Sequence, residues 1–102
     1  MTANINYQLA RAIGWPAGRI VIQGKTVLCF EVVTPNRPLV IGRWRKFDHT
    51  DPVIADALVE RYRLSVMRRK GSPDGWDVFP GWVFLPSRHR AIALAVIALE
   101  KK

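Results

Sequence analysis

Two runs rich in β-branched residues flank a two-residue break: Arg19-Ile20-Val21-Ile22-Gln23, then Gly24-Lys25, then Thr26-Val27-Leu28-Cys29-Phe30-Glu31-Val32-Val33. This pattern predicts a β-hairpin, because a glycine in a two-residue loop supplies the positive φ that lets twisted strands meet. It constrains the fold more than any other feature, since the rest of the chain must pack around an antiparallel pair. Before it, Asn4 or Asn6 can cap a short helix striped by Tyr7, Leu9, Ala10 and Ile13. Gly14 and Pro16 then stop that helix. After it, residues 34–38 form a loop closed by two prolines, and residues 39–44 read as a third strand.

The second half repeats the alternation of helix and strand. Asp51 can accept hydrogen bonds from first-turn amides, and Pro52 suits the first helical position. Ile54, Ala55, Leu58, Val59 and Tyr62 supply the buried stripe. Residues 64–68 alternate as a half-buried strand, 71–75 form a turn, and 76–79 return as its partner. Residues 80–86 read as an aromatic loop or short edge strand. Ser87 caps a last helix running to about Leu99, apolar over most of its circumference. No sequence repeat, linker or low-complexity tract is visible. The expected fold class is α+β: a mostly antiparallel sheet of hairpins with about three helices packed on it, in one domain spanning 1–102.

Composition bounds the function. With 49% hydrophobic residues and four tryptophans, the chain can bury a core and is not expected to be disordered. One cysteine, Cys29, excludes an internal disulfide and points to a reducing cytoplasm. The start of the sequence lacks the pattern of a signal peptide. The longest apolar run, 91–99, is too short to span a membrane, so no membrane partner is expected.

Sixteen Lys and Arg against eight Asp and Glu give a net charge of +8, and eleven of the basic residues are arginines. Arginine is a planar, forked donor suited to phosphate and carboxylate. The basic residues gather in three places: Arg43, Arg45 and Lys46; Arg68, Arg69 and Lys70; and Arg88 with Arg90. In an extended segment Arg43 and Arg45 share a face, and Trp44 points the other way, into the core. Arg88 and Arg90 lie in the first turn of a helix, where the dipole favours anions, so a bound anion would offset their cost. Each cluster alone fits a solvated surface with snorkelled stems. Together they favour nucleic acid as partner, with an acidic host protein as the alternative.

Trp82, beside Gly81 and near Phe79 and Phe84, is the tryptophan expected to be exposed. A Trp82–Phe84 patch would suit a protein interface. Catalytic chemistry is not legible. Asp48, His49 and Asp51 read as a helix cap and its loop, with only His89 and Cys29 as further metal ligands. Ser65, Ser72 and Ser87 lack a nucleophile context, and no glycine-rich phosphate loop occurs. No enzyme activity, cofactor or metal is expected.

Several segments carry a family resemblance: Trp44 to Tyr62, Leu64-Ser65-Val66, Trp76-Asp77-Val78-Phe79, the Arg90-to-Ile97 helix and the opening Leu9-to-Trp15. Together they resemble the NinX-like group of small tailed-phage and prophage proteins, a family of unknown function. The chain departs from that pattern at Gly81-Trp82-Val83-Phe84-Leu85, where many relatives are polar, and in its charge. The resemblance implies a phage accessory protein acting in the bacterial host cytoplasm. It supplies no activity and no site residues.

Overall fold

The computed structural model describes residues 4–32, 42–71 and 73–101. The expected loop at 34–38, the start of the third strand at 39–41 and Ser72 lie outside the described residues. The fold is α+β, and its strands divide into two antiparallel three-stranded sheets. The chain separates into two compact units, Met1–Asp48 and His49–Lys102.

In the first unit, α1 (Ile5–Ala12) begins at Asn4, whose side chain accepts from the Asn6 and Tyr7 amides at 2.9 and 3.3 Å. Gly14 ends the helix at φ +112°, a conformation that side-chain-bearing residues rarely adopt. The hairpin forms as the sequence implies: β1 (Ile20–Gln23) pairs with β2 (Thr26–Val32) across Gly24, at φ +62°, and Lys25. The third strand, β3 (Gly42–Phe47), pairs with the other side of β2 and runs through the basic segment. Among the described residues, the sheet order β1-β2-β3 leaves β3 at an edge. Leu9, Ala10, Ile20, Val27, Cys29 and Phe47 are buried. Burying a Leu, Ile or Phe side chain contributes about 1.5–3 kcal/mol. Arg19 ties the start of the hairpin to its far strand, donating from Nε and Nη2 to the Phe30 carbonyl at 3.2 and 2.7 Å.

In the second unit, α2 (Pro52–Arg61) starts on Asp51, which accepts from the Val53 amide at 2.9 Å. It presents Ala55 and Leu58 inward, with Ile54, Val59 and Tyr62 half-buried. β4 (Ser65–Arg69), β5 (Gly75–Phe79) and β6 (Val83–Leu85) form a meander with β5 at the centre. The aromatic segment 80–86 thus contains a short edge strand. Ser87 caps α3 (Arg88–Glu100), accepting from the Arg90 amide at 3.3 Å. Six residues of α3 between Ala91 and Ile97 are buried, so the helix is covered over most of its circumference. It packs on β5 and β6 and against α2.

Candidate functional site

Register decides which way the basic strand faces. Across β2 and β3, Val27 sits opposite Phe47, Cys29 opposite Arg45, and Glu31 opposite Arg43. Strand side chains alternate, so Arg43 and Arg45 share a face, as the sequence implies. That face is the core face, which carries Val27, Cys29 and Phe47, and the arginines extend from its margin. Trp44 therefore lies on the opposite face, and the expectation that it enters the core is wrong: Trp44 is 46% exposed. Phe47 has the parity of the arginines and fills the core position instead. With aromatic residues at both parities of one strand, period alone could not choose between them.

The arginine side of β3 is organised by one carboxylate. Glu31 accepts from Arg45 Nη1 at 3.1 Å and lies 3.6 Å from Arg43 Nε. The hydrogen bond from Arg45, helped by the charges of both arginines, holds the Glu31 carboxyl below its ordinary value. Lys46 lies 3.9 Å from Asp48. The side chains of Arg43, Arg45 and Lys46 remain 64%, 61% and 66% exposed, so these ion pairs are solvated and individually weak.

The other side of β3 carries an aromatic pair. Phe30 lies directly across from Trp44, with ring centroids 5.2 Å apart and planes at 67°. Phe30 also lies over Gly42: a methyl there would meet its ring and come within 2.6 Å of the Glu31 carbonyl oxygen. Gly42 is thus required by close approach, and Phe30 rests across the strand because no side chain stands there. Lys46, two residues beyond Trp44, shares its face opposite Leu28. Phe30 and Glu31 were not singled out from sequence, although Glu31 is the only carboxylate before Asp48.

The second unit treats its arginines differently. Arg68 and Arg69 point to opposite faces of β4. Arg69 donates from Nη2 and Nε to the two carboxylate oxygens of Asp77, at 2.6 and 2.9 Å, and stacks 4.2 Å from the Phe84 ring centre. Arg68 and Arg88 meet at Trp76, 5.8 and 5.9 Å from its ring centre. Arg88 also approaches Asp56 at 4.0 Å. Lys70 and Arg90 are exposed.

Trp82 is the most exposed large apolar residue described, at 83%. It adopts φ +54°, which is strained for a bulky residue, and its ring meets Phe79 edge-on at 4.7 Å. Phe84 is only half-buried, packed between Gly75 and Arg69. Among the described residues, no three His, Cys, Asp or Glu side chains gather closely enough to hold a metal ion. Nor is any described helix long and apolar enough to cross a membrane. Cys29 is buried, and that burial raises its thiol above the ordinary value against the opposing charge of Arg19.

Comparison with known protein families, with curated proteins and with solved structures finds no match.

Proposed function

We propose that this chain is a non-enzymatic accessory protein of phage or prophage origin, acting in the bacterial host cytoplasm, that binds nucleic acid through its arginine clusters. The phage origin rests on the sequence resemblance. The nucleic-acid reading rests chiefly on β3, an edge strand that offers Arg43, Arg45 and Lys46 to solvent beside an exposed tryptophan. Charge distribution supports it: residues 1–48 hold seven Lys and Arg but only two carboxylates, Glu31 and Asp48. Arg68, Arg69, Lys70, Arg88 and Arg90 belong to the same proposal, as secondary phosphate contacts. The test is fluorescence-anisotropy titration against labelled DNA and RNA at about 50 and 200 mM salt. Micromolar binding that weakens steeply with salt is expected, since each phosphate contact releases counterions. No binding at the lower salt would overturn the proposal.

One observation favours a second reading. Trp82 is exposed on a strained turn, the kind of rigid aromatic that anchors protein interfaces. On this reading the protein is an inhibitor or adaptor that engages an acidic host protein, of defence or replication, through Trp82 and Phe84. Salt-insensitive capture of such a partner, abolished by Trp82→Ala, would support it. Capture unaffected by that change would rule it out.

A further inference from the structure

We infer that the face of β2–β3 bearing Trp44 and Phe30 is a stacking platform for unpaired bases, so that the favoured ligand is single-stranded nucleic acid and not duplex. This rests on the nucleic-acid reading above and names its substrate class. Three observations on one patch carry it. Trp44 is 46% exposed and forms a T-shaped pair with the half-buried Phe30, which puts two aromatic rings on one face of β2–β3. Phe30 lies across the strand where Gly42 carries no side chain. Lys46 stands on the same face, and Arg43 and Arg45, which belong to the opposite face of β3, keep 64% and 61% of their side chains exposed.

Charge complementarity selects the occupant. An apolar peptide would not match Lys46 beside the two rings and two further exposed arginines on the same strand, whereas a single strand supplies phosphates for the cations and π-faces for the rings. A duplex keeps its bases stacked inside and can use only the cations. Stacking and phosphate contacts do not read base edges, so little sequence preference is expected.

The test compares a labelled 12-nucleotide oligothymidine with a 12-base-pair duplex at equal salt, using the whole protein and the variants Trp44→Leu and Trp44→Phe. The single strand should bind about tenfold or more tightly than the duplex. Trp44→Leu should remove that preference while leaving the salt slope intact, and Trp44→Phe should restore most of it. Trp44 is largely outside the core, so both variants should fold, which circular dichroism will check. If both nucleic acids bind equally with a steep salt slope, and Trp44→Leu changes nothing, the platform is wrong and the polyanion reading stands. If neither binds at low salt, both fail.

Discussion

The two units use the same order, a helix followed by a three-strand antiparallel meander, and manage charge in different ways. In each, a carboxylate on the central strand holds arginine from a neighbouring strand, and a phenylalanine ring covers a glycine across the sheet. In Met1–Asp48 one carboxylate, Glu31, is shared by two arginines. In His49–Lys102 Asp77 grips one arginine with both oxygens, and that arginine is also stacked on Phe84. Nine basic residues there face six carboxylates, whereas the first unit sets seven against two. A sheet can therefore spend arginine on its own architecture or leave it available to a ligand. The ratio of carboxylate to guanidinium separates the two uses better than the number of arginines does.

The largest expected effect concerns the extra helix of the second unit. Ile92→Ala in α3, at a fully buried position, should cost about 2–5 kcal/mol in denaturant unfolding. Val27→Ala in β2 should cost less, since fewer methyl groups are lost. A smaller cost for Ile92→Ala would deny α3 its role as principal cover. The two glycines come next. Gly42→Ala places a methyl within 2.6 Å of a backbone oxygen, and Gly75→Ala does so only at 3.0 Å. Gly42→Ala should therefore be the more damaging, by about 1–3 kcal/mol in chemical unfolding. Equal costs would mean that the rings, not the backbone, set the penalty.

The charge contrast is sharpened by neutralising each carboxylate. Glu31→Gln should raise affinity for oligothymidine severalfold at low salt, because it releases Arg43 and Arg45. Asp77→Asn should leave affinity near the parent value, since Arg69 remains stacked. The reverse result would move the site to the second unit. The Glu31 carboxyl has a lowered folded-state value, so its pairing contributes above the unfolded value and fades as pH falls through the folded one. Binding should strengthen over that acidic window in the parent and not in Glu31→Gln. The smallest effect is on stability: losing this exposed pairing should shift the melting temperature little.

Much of the fold was legible because its signals are local. Asn4, Asp51 and Ser87 cap helices as their side chains allow, and Gly24 makes its turn. Which face of β3 meets the core was not legible, because Trp44 and Phe47 offer an aromatic residue at either parity. Only the pairing of Val27 with Phe47 settles it. The division of the strands into two sheets was equally hidden, since hairpin signals say nothing of which hairpins join. The basic residues were visible as clusters, but their partners are cross-strand. Asp77 lies eight residues from Arg69, and Glu31 fourteen from Arg45, distances that only register closes.

The most direct measurement is a nuclear magnetic resonance titration of the ¹⁵N-labelled protein with oligothymidine at low salt, following backbone amides and tryptophan indole groups. Shifts concentrated in Thr26–Val32 and Gly42–Phe47, with the Trp44 indole among the largest, are expected. Shifts confined to β4–β6 and the start of α3, or none at saturating ligand, would contradict the assignment of the binding surface to the first unit.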